Sequence, residues 1–137
     1  MLPVKRALHI TAAMVGLLLL ALATGCGSRG QVELTAADDG RQIELEVGQM
    51  LVVTLQANPS TGYRWDWVPS ETGILQQSGE AGFEEGDTKG LVGAAERQVL
   101  RFTTMQAGTA ELELVYHRPW EADAKPEGVF AVTVVVR

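Results

Sequence analysis

Apolar and polar residues alternate with a period of two along most of this 137-residue chain. Val32 and Leu34 flank Glu33, and after the turn signal Asp38-Asp39-Gly40, Ile43, Leu45 and Val47 alternate with Glu44 and Glu46. Successive side chains on a strand point to opposite faces, so each stretch predicts a strand with one buried and one wet face. Gly48-Gln49 breaks the pattern, and Leu51, Val53 and Leu55 then mark the inward face of a third strand. Tyr63, Trp65 and Trp67 share one face of a fourth, with Arg64 and Asp66 opposite. An aromatic stripe at this period predicts core for Trp65, with Tyr63 nearest the preceding loop. Between residues 69 and 90 the alternation dissolves; Ile74, Leu75 and Phe83 are the available anchors, and one short strand is expected at 74–77. Strands return at 98–104, through Ala110, Leu112, Leu114 and Tyr116 after Gly108, and at 129–136. No stretch carries a convincing helical period. The expected fold is all-β, an immunoglobulin-like antiparallel β-sandwich of about seven or eight strands.

The first residues follow another rule. Lys5 and Arg6 precede an apolar stretch over residues 7–23, and small residues lead from it to Cys26. That order predicts a secretory signal peptide. A transmembrane anchor fits less well, because the segment is short for a span, contains His9 and has no charged stop. Ala23-Thr24-Gly25-Cys26 resembles the lipobox of bacterial lipoproteins, with Ala23 where Leu is usual. The resemblance implies that Cys26 becomes the lipidated first residue of an exported, membrane-anchored protein. Cys26 is also the chain's single cysteine, so it has no internal disulfide partner, and a thioether to lipid would keep a free thiol out of an oxidising compartment. The expected organisation is a signal peptide at 1–25, a lipidated Cys and short tether at 26–30, and one domain at 31–137.

The formal net charge is −6, and the loss of Lys5 and Arg6 makes the body more acidic still. Without a basic run it excludes nucleic acid as a partner. The acidic run Glu84-Glu85-Gly86-Asp87 lacks the alternating ligand spacing of a calcium loop and reads as a solvated turn, so no metal and no cofactor are expected.

Two loops stand out. Asn58-Pro59-Ser60-Thr61-Gly62-Tyr63 holds the chain's single Asn between two strands. Pro59 fixes its own φ and keeps Asn58 extended, Asn58 can bond the backbone ahead of it, and Gly62 permits a positive φ. Such a loop loses few conformations on binding, although the same residues also make ordinary tight turns. Arg118-Pro119-Trp120 places a rigid φ beside a large aromatic in another strand connection, and Arg and Trp are common at binding hot spots. Alternatively Trp120 folds back over an edge of the sandwich while Arg118 pairs with Glu121. In a Greek-key sandwich these loops and the small-residue segment at 90–95 would gather at one end.

The two motifs, in this order on either side of the small-residue segment, resemble the signature of the chagasin family of cysteine-protease inhibitors. The likeness runs from about Gln31 to Arg137 and includes Gly48, the Ala107-Gly108-Thr109 turn and Tyr116. It implies an immunoglobulin-like inhibitor whose three clustered loops fill the cleft of a papain-like cysteine protease. By position, Thr61 would lie over the catalytic cysteine, Arg118 and Trp120 would pack on the primed side, and Leu91, Val92, Gly93 and Ala94 would reach the non-primed side. The middle segment is less glycine-rich than the family's usual run. The expected working unit is a monomer with no catalytic residue of its own. Two rival readings remain at this level: an enzyme built on Ser60, His117 and an Asp, and an envelope lipoprotein binding glycan or protein through Tyr63 and Trp120.

Overall fold

The computed structural model describes residues 30–84 and 96–137; the leader with Cys26 and the segment with Leu91, Val92, Gly93 and Ala94 lie outside the described residues. Nine strands are described: β1 (Val32–Leu34), β2 (Gln42–Leu45), β3 (Met50–Ala57), β4 (Arg64–Val68), β5 (Leu75–Gln77), β6 (Gly82–Glu84), β7 (Glu96–Thr104), β8 (Gly108–His117) and β9 (Gly128–Val136). One sheet runs β1-β3-β7, with β5 and β6 both along the free edge of β7; the other runs β2-β9-β8-β4. Among the described residues no helix is long and apolar enough to cross a membrane.

The all-β sandwich is as expected, but its sheets are mixed rather than antiparallel. β1 is parallel to β3, and β2 is parallel to β9. The chain places β1 in one sheet, β2 in the other and β3 back in the first, so β1 and β3 reach neighbouring positions through a crossover, which parallel pairing requires. A period of two carries no information about pairing direction. The strand that the alternation missed, β6, is three residues long, and its Phe83 is exposed. β5 and β6 are pieces of one edge, separated where the Ser78 N–H bonds the Arg101 carbonyl and Gly79 turns at φ 74°. Short, interrupted edges resist pairing with other chains.

The core lies between the sheets. Leu51, Val53, Phe102, Leu112, Leu114 and Val134 are fully buried, each contributing about 1.5–3 kcal/mol of transfer free energy. Trp67 meets the Phe102 ring edge-on, centroids 5.4 Å apart, and Trp65 and Trp67 pack half-buried against the core. Val47, expected to face inward, is exposed, because β2 ends at Leu45 and Val47 lies in the turn where its N–H meets the Arg137 carbonyl.

The register defines two poles. Ala57 pairs with Glu96, Arg64 with His117 and Tyr116 with Gly128, so the end of β3, the starts of β4, β7 and β9 and the end of β8 meet at one pole. The loops at 58–63 and 118–127 leave from there, as does the described flank of the middle segment. The opposite pole holds the turns at 46–49 and 105–107. Buried Thr104 ties it together by donating its hydroxyl to the Glu46 carbonyl at 2.6 Å, while the Gly48 N–H bonds the Thr104 carbonyl at 2.8 Å.

Candidate functional site

The first loop is a closed unit. Asn58 has φ −129° and ψ 77°, outside the helical region as the following Pro requires, and the Asn58–Pro59 bond is trans. Pro59–Thr61 form one 3₁₀ turn, in which the Gly62 N–H bonds the Pro59 carbonyl at 2.9 Å. The Asn58 carbonyl accepts from the Thr61 N–H at 3.1 Å and from the Thr61 hydroxyl at 2.7 Å. The Asn58 side chain accepts the Ser60 hydroxyl at 2.6 Å rather than a backbone N–H. Gly62 sits at φ 84°, and a Cβ there would overlap the Trp120 ring. Only Gly satisfies both the conformation and the close approach.

The third loop is clamped to the first. Arg118 Nε donates to the Thr61 carbonyl at 3.0 Å, and the guanidinium lies 4.4 Å from the Tyr63 ring centroid. Both contacts use what Arg offers and Lys does not, a planar fork that bonds at its edge and stacks at its face. Arg118 also pairs with Glu121 at 3.3 Å. That pair was part of the alternative in which Trp120 folds back, yet Trp120 is 69% exposed, with the outer edge of its ring against Gly62. Tyr63 is half-buried and stacks on Tyr116 with ring centroids 5.2 Å apart, and Trp65 meets the same Tyr116 ring at 5.0 Å. The aromatic stripe is therefore graded, from core at Trp67 to surface at Trp120.

Polar bonds across the two sheets fix this pole. The Tyr116 hydroxyl accepts from the Asn58 N–H at 2.9 Å, and Trp65 Nε1 donates to the Gln56 carbonyl at 2.9 Å. Gln98, 1% exposed, uses both ends of its amide on Trp65: Oε1 accepts from the backbone N–H and Nε2 donates to the carbonyl, each at 2.7 Å. The sequence reading passed over Gln98, although a signal was present. The period that points Leu100 and Phe102 inward also points Gln98 inward, and a buried amide needs partners.

Pro59, Gly62, Tyr63, Phe83, Pro119 and Trp120 line an open, mainly apolar groove at this pole, with Arg64 at its side. Phe83, read as an anchor of the polar stretch, is instead 44% exposed on that groove. His117 Nε2 lies 2.8 Å from Asp66 Oδ2, which also meets Arg64 at 3.1 Å, while the Ser60 hydroxyl is taken by Asn58. Ser60 and His117 thus have separate partners. Among the described residues no cluster of three or more His, Cys, Asp or Glu could hold a metal. What the surface offers is shape, apolar contact and fixed hydrogen-bonding groups.

An immunoglobulin-like sandwich with rigid, interlocked loops and an exposed aromatic at one pole is a binding scaffold, and comparison with known proteins gives its kind. The profile described as chagasin family peptidase inhibitor I42 matches residues 44–134. The chain belongs to this family of peptidase inhibitors. It is 30% identical over 105 residues to amoebiasin-2 of Entamoeba histolytica, covering 76% of this chain and 84% of that protein. It is 29% identical over 106 residues to chagasin of Trypanosoma cruzi, covering 73% of this chain and 93% of chagasin. Among solved structures, the crystal structure of a cysteine protease inhibitor from Entamoeba histolytica superposes with a TM-score of 0.69 at 27% identity, covering 78% of this chain and 96% of that one.

Proposed function

We propose that this protein is a reversible inhibitor of papain-like (clan CA) cysteine proteases and that its loop pole enters their active-site cleft. The observation that carries this reading is the clamp itself: the first loop closes on its own bonds, Arg118 grips the Thr61 carbonyl, and Trp120 is left exposed beside it. A preformed wedge loses little conformational freedom on docking, so more of the contact energy remains as affinity. Thr61, placed over the enzyme's cysteine, blocks the nucleophile while its peptide stays folded in a 3₁₀ turn. That turn does not offer an extended backbone in a pose that can be attacked. Trp120 and Arg118 supply the aromatic and cationic anchors on one side, and Leu91, Val92, Gly93 and Ala94 are assigned to the other. The inhibitor contributes no catalytic group to the encounter and acts as a monomer.

The sequence around Cys26 supports the second half of the proposal, that the protein is exported and held at a bacterial envelope by lipid on that residue. Stable anchoring takes more than one acyl chain, which a lipidated N-terminal Cys can carry.

Titrating papain and a cathepsin L-type protease with the protein tests the inhibitory reading. Inhibition saturating near one to one is expected, and Thr61→Arg is expected to abolish it, because a long charged side chain cannot enter the cleft. A folded protein that leaves both enzymes active, or a Thr61→Arg variant that inhibits normally, would overturn the assignment.

A further inference from the structure

The two poles separate the binding loops from the point where the leader joins the domain. β1 runs parallel to β3, with Val32 beside Leu51 and Leu34 beside Val53, so β1 starts at the pole where β3 starts. Gln49 Nε2 donates to the Gly30 carbonyl at 2.7 Å and fixes that entry on the turn between β2 and β3. The eight residues of β3 then carry the chain roughly 25 Å, at about 3.3 Å per residue, to the 58–63 loop.

Resting on the reading that Cys26 is lipidated, we infer that the pole formed by Gly30, the 46–49 turn and the 105–107 turn is the face that meets a lipid bilayer, with the inhibitory loops held at the membrane-distal end. The tether sets the geometry. Four residue steps separate Cys26 from Gly30, and a fully extended chain covers at most about 14 Å in that distance. That reach is shorter than the body of the domain, so an inverted domain with its loops on the lipid would leave Gly30 too high for the tether. Charge adds little to this: on the β2-β9-β8-β4 sheet Glu111 is exposed but Glu44 is paired with Arg137 at 2.9 Å, and the proximal pole itself carries exposed Glu46. That pole also presents the exposed side chains Val47 and Met105, and the length of the tether decides the orientation. The consequence is an inhibitor that takes its protease from the aqueous side, with the enzyme docked outward of the membrane.

The single-cysteine sequence makes this measurable. With Cys26 occupied by lipid, Met105→Cys or Asp123→Cys adds one thiol for a fluorophore at either pole, both at exposed positions. The full-length lipid-modified variants are purified from bacterial membranes and reconstituted into phosphatidylcholine–phosphatidylglycerol vesicles carrying nitroxide headgroups. Quenching of the probe at 105 is expected to exceed that at 123 by at least threefold. Papain titration of the vesicle-bound protein should agree within twofold with that of detergent-released protein. Equal or reversed quenching on vesicles that carry the protein overturns the orientation and leaves the lipid anchor standing. A protein that fails to float with vesicles, behaving like Cys26→Ser, overturns the anchor and this inference together. Neither result touches inhibition in solution.

Discussion

The middle of the sandwich and its loop pole are held together by different forces. In the middle, Leu51, Val53, Phe102, Leu112 and Leu114 are sealed from water and meet across the sheets as apolar surface. At the loop pole the sheets are joined by directed bonds, from Tyr116, Trp65 and Gln98, and by a stack of half-buried rings. Apolar burial is non-directional and tolerates small shifts, whereas hydrogen bonds fix position to a few tenths of an ångström. Stability therefore resides in one region and the shape of the binding surface in the other. Substitutions should separate them.

The largest effect is expected in the middle. Phe102→Ala removes a fully buried ring and the edge-on partner of Trp67, and should cost about 3–5 kcal/mol in denaturant unfolding. The fraction that remains folded should inhibit normally. A loss below about 1 kcal/mol would mean that the middle is not what holds the fold.

At the loop pole the pattern inverts. Trp120→Ala should leave the unfolding free energy within about 0.5 kcal/mol, since the ring is mostly exposed. It should weaken inhibition by about 2 kcal/mol, roughly 30-fold. A variant that unfolds would place Trp120 among the residues that hold the domain together.

Gln98→Leu probes the boundary between the regions. Its volume is nearly kept, but the backbone N–H and C=O of Trp65 lose their partners, which should cost about 1–3 kcal/mol. Hydrogen exchange should show the Trp65 amide losing protection first, with inhibition falling as the start of β4 loosens. If the loss of stability leaves inhibition intact, the bond supports the fold without setting the loops.

The same division explains what the sequence made legible. β5 was located from Ile74 and Leu75, where the alternation dissolves. Alternation itself located seven of the nine described strands and the inward faces of β3, β4 and β8, because burial on one side of a strand writes itself into every second residue. It could not report the parallel pairings of β1 and β2 or the three-residue β6, which depend on partners distant in the chain. Asn58, Pro59 and Gly62 betrayed the first loop through their special backbone chemistry, and Arg118 and Trp120 the third. The grip of Arg118 on the Thr61 carbonyl joins residues 57 positions apart, and nothing local announces it. The roles proposed for Cys26 and for residues 91–94 rest on sequence, since both lie outside the described residues.

The smallest effect belongs to a turn that serves neither region directly. The Asp38 carboxylate accepts the Thr35 N–H at 2.8 Å and meets Arg41 at 2.6 Å. The backbone bond, and then Arg41, hold its pKa below the ordinary carboxylate value against an opposing contribution from partial burial. A group whose pKa is lower folded than unfolded stabilises the fold while ionised. Its contribution is complete above the ordinary carboxylate range and disappears as pH falls through the depressed folded value. Asp38→Asn should therefore flatten this part of the acid limb of the stability profile while changing stability at neutral pH by less than about 1 kcal/mol. Arg41 is 63% exposed, so salt should shrink the difference further. The loop pole sits elsewhere, and papain inhibition at neutral pH should be unchanged; a loss there would show that the turn before β2 helps to set the binding surface.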